Sequence, residues 1–177
     1  SWISESGLKP FPIPTQLPST AIPAPIEKDR GMREEKKWFD TSYVAKGWKN
    51  YFIPGFWEDQ GLKDLNGIVW FRKEIDIPAG QENEVAKLFM GRIVDADEMY
   101  VNGTRVGNIT YQYPPRRYEI KPGILHAGKN LLVIRVSNSA GKGDFVPDKR
   151  YELVLGEKTI SLVGNWQYKV GDVWTPN

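Results

Sequence analysis

The sequence predicts an all-β protein, an antiparallel jelly-roll β-sandwich, and three observations carry that prediction. From residue 48 onward, short apolar segments alternate with the period of two that a strand with one buried face requires. Gly, Pro and Asn-Gly pairs interrupt those segments at short intervals. After residue 40 almost nothing shows helical periodicity, so the crossovers that a parallel sheet needs are missing.

The elements follow in chain order. The stretch "PFPIPTQLPSTAIPAP" holds six of the chain's 13 prolines between Pro10 and Pro25. Proline removes ladder donors and pushes its predecessor towards extended geometry, so this is an extended strap and not a core strand. "IEKDRGMREEKKWFD" carries mixed charge; it predicts one or two helical turns weakened by Gly31, in a solvated segment. Strap and charged linker together are assigned to residues 1–37, and the sandwich to residues 38–177.

"WKNYFIPGFW" reads as a short strand stopped at Pro54-Gly55. "GIVWFRKEIDIP" places Val69, Phe71, Ile75 and Ile77 on a buried face and Trp70, Arg72, Glu74 and Asp76 on the other. "EVAKLFMG" is the next strand. "DEMYVNGTRVG" is the strongest local signal, because Asn102-Gly103 supplies the two positive-φ positions of a hairpin turn. "RYEI", "NLLVIRVSN", "YELVL", "KTISLV" and "NWQYK" complete a set of roughly nine or ten short strands, with "LGEK" as a second hairpin turn.

Composition narrows the chemistry. With 24 Lys and Arg against 22 Asp and Glu, the net charge of +2 gives no electrostatic argument for nucleic acid. No apolar run is long enough to span a membrane. Cysteine is absent, which removes disulfides, thiolate zinc sites and thiol catalysis. The beginning "SWISESGLKPFP" and the end "GDVWTPN" read as a domain cut from something larger. The expected setting is bacterial, periplasmic or secreted.

The only histidine, His126, falls in the loop-like "PGILHAGKN", and no G-x-S-x-G elbow, phosphate loop or dinucleotide fingerprint is present. The acids of "VDADEMYVNG" are the remaining candidates. Asp95 and Asp97, two apart on a strand, would share a face, with Glu98 on the other. Three uses stay open for them: a structural role at a bend, oxygen ligands for Ca²⁺, or a contact with sugar or a partner. The cluster "YQYPPRRY" combines Tyr and Arg in a Pro-rich connection, chemistry shared by interfaces and sugar sites.

Three stretches together resemble the sugar-binding domain of glycoside hydrolase family 2: "FIPGFWEDQGLKDLNGIVWFRKEIDIP", "DADEMYVNGTRVG" and "GILHAGKNLLVIRVSN". A closer resemblance is to the galactose-binding-like jelly roll inserted in bacterial sialate O-acetylesterases. "VWFRKEIDIP", "DADEMYVNG", "YQYPPRRY", "GKGDFVPDKRYEL" and "GNWQYKVG" carry it, over about residues 36–171. The resemblance implies a parent with an SGNH-type serine esterase domain whose nucleophile lies upstream of Ser1 and whose His lies downstream of Asn177. No catalytic residue is expected in this chain, and no cofactor apart from possible Ca²⁺ at Asp95 and Asp97.

The expected function is a non-catalytic accessory jelly roll that packs on the esterase domain of the same parent and shapes glycan access. The alternatives are an autonomous carbohydrate-binding module and the accessory domain of a family 2 glycosidase. The surface expected to dock sugar or domain comprises Trp57, Tyr111, Tyr113, Arg116, Arg117, Asp148 and Lys149, all in irregular connections at one end of the sandwich. Neither nucleic acid nor membrane is an expected partner.

Overall fold

Two apolar faces must be covered by the residues around β3 (Gly67–Ile77), and this requirement sets the architecture. The computed structural model describes residues 28–174; the Pro-rich strap and the last three residues lie outside that range. Within it, β3 pairs along its whole length with β9 (Gly128–Asn138) and on its other side with β13 (Gly164–Val173). The sheet extends through β1 (Lys49–Ile53) at one edge and β6 (Ala96–Val101) with β7 (Thr104–Ile109) at the other. Its order is β1-β13-β3-β9-β6-β7, and every pairing is antiparallel.

A four-stranded sheet faces it, in the order β12-β11-β4-β8: β12 (Lys158–Ser161), β11 (Tyr151–Leu155), β4 (Ala86–Met90) and β8 (Arg117–Ile120). The core between the sheets is built from the alternating positions that the sequence singles out. Val69, Phe71, Ile75 and Ile77 meet Leu132, Ile134 and Val136 on one side and Leu88, Met90, Leu153 and Leu155 on the other. Truncating Phe71 to Ala in such a setting costs about 3–5 kcal/mol.

The opposite face of β3 is also buried, against the expectation of one buried face. Trp70 is inaccessible and Arg72 is 8% exposed, because residues 29–48 lie across the outer face of the six-stranded sheet. Trp38 and Trp48 pack there with Ile68, Trp70, Tyr100, Leu131 and Val133. The pivot of this layer is Asp29, which is fully buried in a segment expected to be solvated. Its carboxylate caps the single helical turn α1 (Arg30–Arg33) through the Gly31 N–H. It also accepts from Trp70 Nε1 at 3.0 Å and from Arg135 Nε at 2.6 Å. Gly31 is required at its place, because a Cβ there would overlap the Trp70 indole. Asp29 and the α1 turn thus pack against the outer face of the six-stranded sheet.

The two hairpin turns form as expected. Asn102 and Gly103 have φ of 49° and 83°, and Val101 pairs with Thr104 across them. Asn102 is further tied down, donating to Ile124 O and accepting from the Leu131 N–H. Leu155 pairs with Lys158 around Gly156. Three two-residue strands escape the sequence pattern: β2 (Gly55–Phe56), β5 (Ile93–Val94) and β10 (Asp144–Phe145). They form a small sheet, β2-β10-β5, that closes one end of the sandwich.

Candidate functional surface at the closed end

The small sheet gathers four connections at one end. Phe56 pairs with Asp144, and Asp144 with Val94. Gly91 and Arg92 are the meeting point: the Gly91 N–H donates to Arg150 O, the Arg116 N–H to Gly91 O, and the Val146 N–H to Arg92 O. Residues 91–92, 110–117 and 146–150 are thus drawn together by backbone hydrogen bonds, with Trp57 joined to the same end through its N–H to Gly143 O.

Five of the seven expected surface residues are exposed here. Tyr113 is 68% and Tyr111 46% exposed, and the Arg92 guanidinium lies 5.5 Å from the Tyr113 ring centroid. Arg117 is exposed and sits 5.7 Å from the Phe89 ring. Asp148, in the left-handed region with φ of 60°, and Lys149 are exposed beside them.

Trp57 and Arg116 are not surface residues. Trp57 is 1% exposed and packs on Phe71, and its indole fills the space that a Cβ on Gly143 would need. A large aromatic next to a Gly-rich connection can plug that gap and exclude water, which burial rewards. Arg116 is 1% exposed. Its Nε meets Asp97 Oδ1 at 2.6 Å, and its Nη atoms donate to Pro114 O and Asp95 O, each at 2.8 Å. The guanidinium thereby gives partners to the Pro114 carbonyl of the Pro-Pro connection and to the Asp95 carbonyl before β6.

Asp95 and Asp97 do not share a face as expected. Asp95 precedes β6, and its Oδ2 accepts from the Ser139 N–H and hydroxyl. Asp97 points into the interior, where its second oxygen accepts from the Tyr118 hydroxyl at 2.6 Å. Burial pushes the Asp97 carboxyl up, while Arg116 and the Tyr118 hydrogen bond pull it back. Burial and the adjacent Asp97 charge raise the Tyr118 phenol. Both Asp97 oxygens are engaged by donors with a guanidinium in contact, while Asp95 Oδ1 is buried without a hydrogen bond. Among the described residues no group of three or more His, Cys, Asp or Glu is placed to hold a metal. His126 is exposed in its loop, where its N–H donates to Asn130 Oδ1.

The sequence reading passed over Asp144 as a titrating group. It is 7% exposed, and burial, opposed by Arg92 and reinforced by Asp59, raises its carboxyl to about 6. The signal was a lone acid between Gly143 and Phe145, where a strand this short offers no polar face.

Taken as chemistry, this end presents aromatic and cationic side chains on a frame fixed by a buried ion pair.

No protein-family model matches the sequence. Two curated proteins of Formosa agariphila, both named as β-glucuronidases, are similar to it. One is 30% identical over 97 residues, covering 52% of this chain and 12% of that protein. The other is 31% identical over 72 residues, 41% of this chain and 7% of that protein. The chain thus spans about a tenth of the length of the curated relatives it matches. Solved structures share its fold. A β-glucuronidase from an uncultured Clostridium superposes with a TM-score of 0.52 and 17% identity over 75% of this chain and 25% of that one. Bacteroides uniformis β-glucuronidase 2 gives 0.51 and 21% over 73% and 15%. A β-glucuronidase from glycoside hydrolase family 2 gives 0.51 and 20% over 58% and 12%. At these identities the likeness is one of fold, and it is consistent with a β-sandwich like one found in much longer glycosidases.

Proposed function

We propose that this chain is a non-catalytic accessory jelly roll of a larger carbohydrate-active hydrolase, of the family 2 glycosidase kind. The observation that carries the reading is the match of about half of this β-sandwich chain to a small part of two much longer relatives named as β-glucuronidases. The closed end, with Tyr111, Tyr113, Arg117, Asp148 and Lys149, is the surface that docks on the catalytic domain of the same parent. Aromatic and Arg side chains suit that task because they bury much area while keeping a polar tip. The setting we assign is bacterial, periplasmic or secreted.

A second reading keeps the parent as a sialate O-acetylesterase with this domain inserted in an SGNH-type esterase. It rests on the motif resemblance alone, in which "DADEMYVNG" and "YQYPPRRY" contribute Asp97 and Arg116, a buried ion pair. The glycosidase reading has the support of the curated relatives.

The purified parent protein separates them. Turnover of an aryl β-glucuronide supports the first, and release of acetate from O-acetylated sialic acid the second. The 177-residue chain alone is expected to turn over neither; clear activity of the isolated chain overturns the accessory assignment.

A further inference from the structure

The layer built from residues 29–48 covers only part of the outer face of the six-stranded sheet. It reaches β9 where Asp29 accepts from Arg135, and β6 where the Phe39 ring stacks on Tyr100 with centroids 4.2 Å apart. Beyond these two contacts the same face continues. Ala96 is the register partner of Ser137, and Glu98 that of both Arg135 and Asn108. These residues and Thr110 line a pocket of about 150 Å³. Small-molecule sites begin at roughly 300 Å³, so this one is sized for a short piece of chain.

The lining holds more donors than the described residues use. The Ser137 and Thr110 hydroxyls and the Asn108 amide make no hydrogen bond among those residues. Arg135 forms the inner wall. Its Nε meets Asp29 Oδ2 at 2.6 Å and its Nη1 lies 3.5 Å from Glu98 Oε1, while Nη2 is buried without a hydrogen bond. The charges are already balanced, because Arg135 and Arg105 stand against Asp29 and Glu98. An added ion would find no free counter-charge here, so a neutral occupant that brings acceptors suits the pocket better.

The chain itself carries such an occupant. "STAIPAPIEK" runs directly into Asp29, at the edge of the pocket. Pro23 and Pro25 have no N–H, and a Pro-rich extended segment makes no internal hydrogen bonds, so its carbonyls are free to accept. The crossing from β9 to β7 covers two strand spacings, about 10 Å. Three or four extended residues span that distance at about 3.3 Å each. Counted back from Lys28, this selects residues 24–27, of which only Glu27 is charged.

We infer that residues 24–27 of the strap dock in this pocket and carry the outer layer across β6 to β7. Their backbone carbonyls take the idle donors of Ser137, Thr110 and Asn108. The strap then leaves the sandwich at Pro23, five residues before Lys28. The inference does not depend on what the parent protein hydrolyses.

The test is disulfide trapping in the 177-residue chain, which has no cysteine of its own. Ala24→Cys is combined with Asn108→Cys in the pocket, or with Val173→Cys as the control. Val173 is exposed and stands two residues from Gly171, which packs against Asp29, so an undocked strap reaches it as readily. Under mild oxidation the pocket pair should close within one molecule about ten-fold faster than the control pair. A nitroxide on Ala24→Cys alone should broaden the Thr110 and Ser137 amide signals at least two-fold more than that of Val173, without any covalent trap. Ser137→Leu, which fills the pocket and removes a donor, should abolish the preference in the trapping experiment. Equal closure of the two pairs, broadening without preference, or a trapping preference that survives Ser137→Leu overturns the inference. Cross-linked dimers in place of closed monomers also overturn it, because they put the strap on a second copy.

Discussion

Arg116 Nε lies 2.6 Å from Asp97 Oδ1, and neither side chain is exposed to solvent. The two residues come from different sheets of the sandwich, Asp97 from β6 and Arg116 from the connection entering β8. Removing one partner would leave the other charge buried, so Arg116→Ala should destabilise the chain by about 3–5 kcal/mol. Replacing both, as Asp97→Leu with Arg116→Met, should cost far less than either single change. Urea denaturation of the three variants checks this, and additive costs would count against it.

Asp144 makes stability depend on pH. Burial pushes its folded carboxyl up to about 6, above the ordinary aspartate range near 4, so between these values the folded chain holds a proton that the unfolded chain has lost. The stability this contributes is complete below about pH 4 and disappears as pH rises through 6. Asp144→Asn should therefore raise the stability at pH 8 by on the order of 1 kcal/mol, the full shift being discounted for partial solvation, and leave it little changed at pH 4. Melting curves at the two pH values test the sign.

Asp29 pins the outer layer. Asp29→Ala removes the cap of α1 and the partners of Trp70 Nε1 and Arg135 Nε, at a cost of about 2–4 kcal/mol. Because Trp38 and Trp48 belong to this layer and Trp70 lies beneath it, the variant should also shift Trp fluorescence to longer wavelength before global unfolding. A single transition at the wild-type emission maximum would refute the link.

Tyr113 and Lys149 are exposed and should tolerate Ala within about 0.5 kcal/mol. In the parent protein the same changes should lower activity or loosen domain packing, as read by limited proteolysis. An unaffected parent would remove the closed end from the docking surface.

Much of the sandwich was legible from the chain alone. The every-second apolar positions Val69, Phe71, Ile75 and Ile77 of β3 and the Asn-Gly turn after β6 are local signals, the first marking the core face and the second a register. Trp57 and Arg116 were misplaced because their neighbours are Pro and Gly, which mark irregular backbone and say nothing about depth. Burial of Trp70, Arg72 and Asp29 depends on a layer contributed 40 residues away, a non-local fact that period-two patterning cannot carry. Asp95 and Asp97 diverge because the strand begins between them, at Ala96.

The Gln60 side chain sets the outer limit of the larger sheet. Its amide accepts from the Phe52 N–H at 2.6 Å and donates to Phe52 O at 2.9 Å, so it occupies the place where one more strand would join β1. A single side chain here imitates a peptide unit and ends the ladder. Without it, an exposed donor and acceptor would sit beside an exposed Phe on a free edge, the arrangement through which one copy recruits the next. The free edge of this sandwich is thus closed at Phe52 by one uncharged residue in a 3-10 turn.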